Sequence, residues 1–377
     1  MQLTPIEFTS RTRLNFGSGV ISQVGELTRE LGAHHVLLVT DVGIVAAGHA
    51  ARIQDYLEKA GIRVTLFDQA RENPTTKCVD DCVRVAQAAG IDALIGLGGG
   101  SSMDTAKGCN FILTNSGRMQ DYWGVGKATK PMLPFVAIPT TAGTGSEMQC
   151  AALIADEVTH QKMACLDPKC AARIAILDPE LTLSQPPRVT ACTGIDAIAH
   201  AVETAVTTKR NELSQRLSRE AFQLCVPAFP QVLAKPNDLA ARARMQLGAA
   251  YAGAAIESSM LGAAHAAANP LTAHFGIIHG HAVGLMLPHV VRWNAQQPEA
   301  RAGYEFLMGG GSVAELPAQL HDLLRITGLP TALAAASVAR SALPMLAEEA
   351  ARQWTATFNP RPITAADFVM LYEAAFA

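Results

Sequence analysis

Apolar and polar positions follow two different rhythms along this chain, and the change falls near residue 185. In the first part, short runs rich in β-branched and aliphatic residues recur: HVLLVTD (35–41), VTLFD (64–68), ALIGLGGG (93–100), FVAIPTTAG (135–143) and IAILDP (174–179). Each is apolar almost throughout rather than alternating, as expected of a strand covered on both faces. Between them lie stretches of helical period such as HAARIQDYLEKAG and TKCVDDCVRVAQAAG, both ending on glycine, a common helix stop. Strand and helix alternating at this spacing predict a parallel, doubly wound α/β domain over residues 1–185. From SQPPRVTACTG onward the strand pattern stops. Ala/Leu-rich helical segments follow at 212–226, 238–268, 314–327, 331–353 and 364–376, so residues 186–377 read as an all-helical domain joined at Pro186-Pro187.

Two of the strands run directly into glycine-rich turns. GLGGGSSMDTAKG leaves a strand and opens a helix. Gly98, Gly99 and Gly100 allow a tight turn and a close approach of backbone N–H groups to a ligand, while the helix N-terminus favours an anion. The spacing matches neither G-x-G-x-x-G nor a P-loop, and a plain strand–helix turn capped by Ser102 competes with the anion site. IPTTAGTGSE follows the next strand and offers the hydroxyls of Thr140, Thr141 and Thr144, either to a ligand or to the N-terminus of a helix. Loops of this kind at the carboxyl ends of neighbouring strands suit a nucleotide. Asp41, at a strand end, suits a ribose and repels a 2′-phosphate, although many strands simply end in Asp at a turn.

The helical half carries a second pattern. In GIDAIAHAVE, Asp196, His200 and Glu203 fall at i, i+4 and i+7 on one face of an otherwise apolar helix. Downstream, no charged residue occurs between Glu257 and Arg292, yet that span holds five of the eleven histidines. Its prolines, glycines and imidazoles argue against a membrane span and for a buried helix and loop lining something. Buried imidazoles each need a partner. One carboxylate and three imidazoles, Asp196, His200, His265 and His279, suit Fe(II) or Zn(II) with a position left open for substrate. Glu203 is either a rival ligand or an acceptor that orients His200.

Composition narrows the classes. The 377 residues suffice for two domains, 49% are hydrophobic, and the net charge is −3. This gives no footprint for nucleic acid or an anionic membrane. MQLTPIEFTSRTRLNFGSG has no apolar h-region of a secretory signal. The eight cysteines are scattered without a CxxC, and read as free thiols in a reducing cytoplasm.

GGGSSMDTAKG, IPTTAGTGSE, GIDAIAHAVE and the histidine-bearing stretch before LMLPHVVRWN, in this order, resemble the iron-containing (group III) alcohol dehydrogenases. The resemblance runs from RLNFGSG to Asn294 and weakens beyond it. It implies a dehydroquinate synthase-like architecture, with an N-terminal nucleotide-binding α/β domain, an all-α C-terminal metal-binding domain and a site in the cleft between them. It implies metal ligation by Asp196, His200, His265 and His279, with Fe2+ ahead of Zn2+. Cofactor contacts are implied at Asp41, Asn73, Gly98, Gly99, Ser101, Asp104, Thr140, Thr141, Thr144 and Lys162, with NAD as the cofactor. The implied reaction moves a hydride between a small uncharged primary or secondary alcohol and NAD, with aldehyde or ketone in reverse. A homo-oligomer, dimer or higher, is the expected assembly.

The sequence departs from the family at one position. Where many members have a second histidine four residues after His265, this chain has Asn269, and an amide cannot shuttle a proton. Asn269 is then expected to shape the pocket, and His274 is the candidate proton carrier, with a purely structural histidine as the competing reading. Relatives acting on phosphorylated substrates, dehydroquinate synthase and glycerol-1-phosphate dehydrogenase, would want Lys or Arg beside the metal motifs. None occurs between Glu257 and Arg292 or between Arg188 and Lys209. Maleylacetate reductase, another relative, works without the full ligand set, and a non-catalytic metal- or nucleotide-binding protein is the remaining alternative.

Overall fold

A computed structural model describes residues 11–159 and 161–377. The first ten residues, on which the reading of the N-terminus partly rests, lie outside them. The chain divides into two compact units. One comprises residues through Pro139 and Cys150–Asp178; the other comprises Thr140–Gln149 and Pro179–Ala377. The division falls before the Pro186-Pro187 joint, and it assigns the second glycine-rich loop to the helical unit.

The first unit is built on strands β1 (Arg13–Phe16), β2 (His35–Val39), β3 (Arg63–Phe67), β4 (Ala93–Gly98), β5 (Gly124–Val125), β6 (Phe135–Pro139), β7 (Ala151–Ala155), β8 (Lys162–Leu166) and β9 (Ile174–Leu177). Six form one sheet in the order β1-β9-β6-β4-β2-β3, and every pairing in it is parallel. β2, β4, β6 and β9 are buried at every residue, which is why their sequences are apolar without alternation. The chain runs outward from β2 to β3 and then returns to place β4 on the other side of β2. The order reverses there, at the carboxyl ends where α/β proteins bind ligands. Helices α1 (Val24–Glu30), α2 (Val42–Ala46), α3 (His49–Lys59), α4 (Thr76–Ala89) and α5 (Gly100–Asn115) complete the unit. β5, β8 and β7 form a separate three-stranded sheet that the sequence pattern does not announce.

The second unit contains α6 (Pro187–Thr204), α7 (Glu212–Ala234), α8 (Leu239–Ser259), α9 (Ala263–Phe275), α10 (His279–Asn294), α11 (Pro298–Met308), α12 (Leu316–Arg325), α13 (Leu343–Ala351) and α14 (Ala365–Ala374). Two expected helices change. The segment 238–268 breaks at Met260, where φ is 66°, so His265 belongs to a new helix rather than to the end of a long one. Of 331–353, only Leu343–Ala351 is α-helical. All eight cysteines are free and buried. No helix among the described residues is long and apolar enough to cross a membrane.

Candidate metal and cofactor sites

α6 presents Asp196, His200 and Glu203 on one face, and they are only 5%, 4% and 3% exposed. α9 supplies His265 in its first turn and α10 begins on His279. Gly280 lets α10 approach α6, because a Cβ there would run into the carbonyl of Cys192 and lie 3.0 Å from Cβ of Asp196. The result is a cluster in which ligand atoms of Asp196, His265 and His279 all lie within 4.8 Å of one another. His200 joins it, with Nε2 3.5 Å from Asp196 Oδ1 and its ring stacked on His265 at a centroid distance of 4.8 Å.

The outer nitrogens fix what the inner ones can do. His265 Nδ1 donates to Glu203 Oε2 at 2.5 Å, and His200 Nδ1 donates to the carbonyl of Gly143 at 3.2 Å. A carboxylate and a carbonyl can only accept, so each imidazole carries its proton on Nδ1 and a lone pair on Nε2. Those lone pairs meet the carboxylate of Asp196, with His265 Nε2 3.4 Å from Oδ1. Both Asp196 Oδ1 and His265 Nε2 are buried without a hydrogen-bond partner. Electron-rich atoms facing one another in an apolar interior call for a cation, and this donor set fits a divalent transition metal. Burial opposes the charge on Asp196, but His200, His265 and His279 outweigh it and hold the carboxyl well below the usual range. Burial pulls His200 down. His265 resists the same burial, because Glu203 and Asp196 raise it to about 9. A proton and a divalent ion therefore compete for the same lone pair.

Glu203 serves His265, not His200 as the sequence reading allowed. Its second oxygen, Oε1, accepts from the backbone N–H of Ala264 at 2.7 Å, so one carboxylate holds both the imidazole and the first turn of α9. Asn359 adds an acceptor for the N–H of Ala263 at 3.3 Å and is tied to Asn294 by a reciprocal amide pair of 3.0 and 2.8 Å. Neither asparagine stood out in the sequence, because their partners are far away along the chain.

Asn269 is one turn beyond His265 on the same face of α9, half-buried, with Nδ2 donating to Gln353 Oε1 at 3.0 Å. His274 is not brought to the cluster. Nine residues after His265, it lies about half a revolution around the helix. It is exposed and faces Glu349 across 2.9 Å. Such a surface pair contributes about 0–1 kcal/mol. His274→Ala is therefore expected to leave kcat within about twofold and the pH–rate profile unchanged in a steady-state assay, which corrects the proton-carrier expectation.

In the first unit, Asp41 follows β2 and caps α2, with Oδ1 accepting from Gly43 and Ile44 N–H at 2.8 and 3.0 Å. Gly98 ends β4 with φ 143°, and a Cβ there would lie 2.5 Å from Ser102 Oγ and 3.5 Å from Asp41 Oδ2. The glycine is required by that approach, which puts Asp41 beside the loop at the point where strand order reverses. Gly99 is the N-cap of α5, followed by Ser101 and a buried Asp104. Asn73 is exposed with φ 52°, and Lys162 is exposed at the start of β8. Thr140 is buried while Thr141 and Thr144 are half-buried, on the loop that counts with the helical unit.

Comparison with known proteins covers nearly the whole chain. The family model for iron-containing alcohol dehydrogenase matches residues 11–179, and that for the C-terminal part of the Fe-containing alcohol dehydrogenase family matches 190–376. The NAD-dependent methanol dehydrogenase of Bacillus methanolicus is 31% identical over 95% of this chain and 97% of its own. The lactaldehyde reductase of Escherichia coli K12 is 32% identical over 96% and 97%. A solved structure of 1,3-propanediol oxidoreductase superposes with a TM-score of 0.93 at 32% identity, over 96% of this chain and 97% of that one. The chain belongs to the iron-containing alcohol dehydrogenase family and is an oxidoreductase of that type.

Proposed function

We propose that this enzyme transfers a hydride between a small uncharged alcohol and NAD, with Asp196, His200, His265 and His279 holding one divalent metal, Fe2+ ahead of Zn2+. The observation that carries the reading is the convergence of lone pairs on Asp196 from imidazoles whose protons are held on their outer nitrogens. A divalent ion there supplies Lewis acidity to an alcohol oxygen, and nicotinamide supplies the hydride acceptor.

The chain's own residues do the rest. Glu203 and the Gly143 carbonyl hold the Nδ1 protons of His265 and His200 and orient both rings, so that each Nε2 faces Asp196, the one carboxylate of the ligand set. Buried alanines neighbour Asp196, His200 and His265 along α6 and α9, and such apolar surroundings strengthen electrostatic contacts. Asn269 lies on the His265 face, held by Gln353, and orients substrate by hydrogen bonding rather than by taking up a proton. The names of the relatives, with methanol, lactaldehyde and 1,3-propanediol, support short substrates. The absence of Lys and Arg between Glu257 and Arg292 disfavours phosphorylated ones. The assembly is taken as a homo-oligomer and the compartment as the cytoplasm, where eight free thiols are stable.

Cofactor binding is assigned to Asp41, Asn73, Gly98, Gly99, Ser101, Asp104, Thr140, Thr141, Thr144 and Lys162. Asp41 sets the choice by repelling a 2′-phosphate. Asp41→Gly is expected to narrow the NAD preference by about 1 kcal/mol, roughly fivefold. It also costs about 0.3 kcal/mol of stability through the lost cap on α2, because glycine is itself tolerated at an N-cap. Ratios of kcat/KM for NAD and NADP, with a melting curve, check both, and a wild type that already prefers NADP removes this role from Asp41.

A panel of short alcohols, diols and aldehydes, assayed with NAD(H) and NADP(H) on Fe2+-loaded enzyme, tests the whole reading. Turnover of uncharged short-chain substrates with NAD supports it. Activity confined to anionic or phosphorylated substrates, or none with any pair, moves the chain to one of the family's other reactions or to a non-catalytic role.

A further inference from the structure

Residues 358–361 lie far along the chain from every proposed ligand, yet they reach all three helices that carry them. The Phe358 carbonyl accepts from Thr208 N–H at 2.8 Å, just past the end of α6. Arg361 Nη1 donates to the Trp293 carbonyl at 3.1 Å near the end of α10, and its guanidinium lies over the Trp293 ring. Between them, Asn359 meets both α9 and α10. Its Oδ1 accepts from Ala263 N–H at 3.3 Å and from Asn294 Nδ2 at 3.0 Å. Its Nδ2 donates to Asn294 Oδ1 at 2.8 Å and to the Arg361 carbonyl at 2.7 Å. These bonds use both donors and both acceptor sites of one amide, so its orientation is fixed. Asn359 and Asn294 are 3% and 2% exposed, and Asn294 is the last residue of α10, the helix that His279 begins.

The amide supplies what the start of α9 lacks. Gly262, the N-cap, has no side chain to offer, and a Cβ there would lie 3.1 Å from both Asn359 Oδ1 and Glu203 Oε1. Those two acceptors take successive donors of the first turn, which need partners at any helix start. Ala263 N–H goes to Asn359, Ala264 N–H to Glu203, and the His265 imidazole to the other oxygen of Glu203. We infer that Asn359, held by Asn294, is a positioning residue for the metal site. It seats the first turn of α9 so that His265 meets Glu203 and turns Nε2 toward Asp196. A carboxylate could not replace the amide, because it would stand beside Glu203 and could not donate to Asn294 or Arg361. The inference rests on the ligand set proposed above.

The test is Co2+ binding to the chelated full-length enzyme, read by competition with a chelator of known affinity and by the visible d–d bands that report coordination geometry. Thermal melts of the metal-free protein run beside it. The wild type is expected to bind one Co2+ per chain. Asn359→Ala and Asn359→Asp are each expected to weaken binding about tenfold or more and to change the band pattern, with a smaller loss in Asn294→Ala. The double variant Asn294→Ala/Asn359→Ala is expected to match Asn359→Ala within about twofold, since Asn294 acts through Asn359. Thr364→Ala, which removes the cap on α14, is expected to lower Tm and leave Co2+ affinity and bands unchanged. Should Asn359→Ala fail to fold, Asn294→Ala decides, with weakened binding and altered bands expected. Unchanged affinity and bands in the deciding variant, whatever its Tm, would overturn the inference. So would an equal loss in Thr364→Ala, or losses that simply add in the double variant. A wild type that binds no Co2+ would remove the ligand set itself, and this role with it.

Discussion

His279→Ala and His265→Ala are each expected to reduce stoichiometric metal to a small fraction per chain and to lower kcat/KM by about 10³-fold or more. The figure follows from the several kcal/mol of transition-state stabilisation that a Lewis-acid ion supplies, at 1.36 kcal/mol per decade. The fold should survive. His279 is the first residue of α10, and the packing that holds that helix to α6 comes from Gly280 and the apolar residues after it. His265 is held through its outer nitrogen, so its loss frees Glu203 but leaves α9 capped at Ala264. Elemental analysis of anaerobically purified protein, with circular dichroism, checks both statements. One metal per chain and normal turnover in both variants would remove these histidines from the ligand set.

Glu203→Ala should damage two properties at once. It strands the His265 Nδ1–H and the Ala264 N–H in a site where neither reaches water, and breaking a buried charged pair from one side costs about 3 kcal/mol. It also releases the imidazole orientation and the proton position that leave Nε2 free to ligate. Loss of such an outer partner lowers metal affinity about 10–100-fold. Glu203→Gln keeps one oxygen acceptor and should recover most of the stability but only part of the affinity. Competition against a chelator of known affinity, run beside thermal melts, separates the two effects. A variant whose Tm falls while its metal affinity is unchanged would make Glu203 a helix cap alone.

Much of this was legible in the sequence because burial leaves a direct mark. β2, β4 and β6 are covered on both faces, so their residues are apolar without alternation, and the turns after β4 and β6 declare themselves through glycine. The Asp196–His200–Glu203 stripe was readable because three ionisable groups on one face of an apolar helix need a reason. What escaped depended on distance or on silence of pattern. AALIA, the core of β7, is small and only half-covered, so it resembles any Ala-rich segment. The break between α8 and α9 has a methionine at φ 66°, which no residue preference announces, and alanine on every side of α8 blurs its period. Glu203 meets His265 across 62 residues, a tertiary fact. His274 was misplaced for a related reason: α9 continues past Pro270 to Phe275, turning that histidine away from the face of His265.

The measurement that bears most directly on the central claim is alcohol-dependent NADH formation by anaerobically purified enzyme, by the same enzyme after chelation, and by chelated enzyme reloaded with Fe2+ or Zn2+. The account expects one metal per chain, loss of turnover on chelation by about 10³-fold, and recovery on reloading, with no recovery in His279→Ala. Turnover that survives complete removal of metal would contradict it.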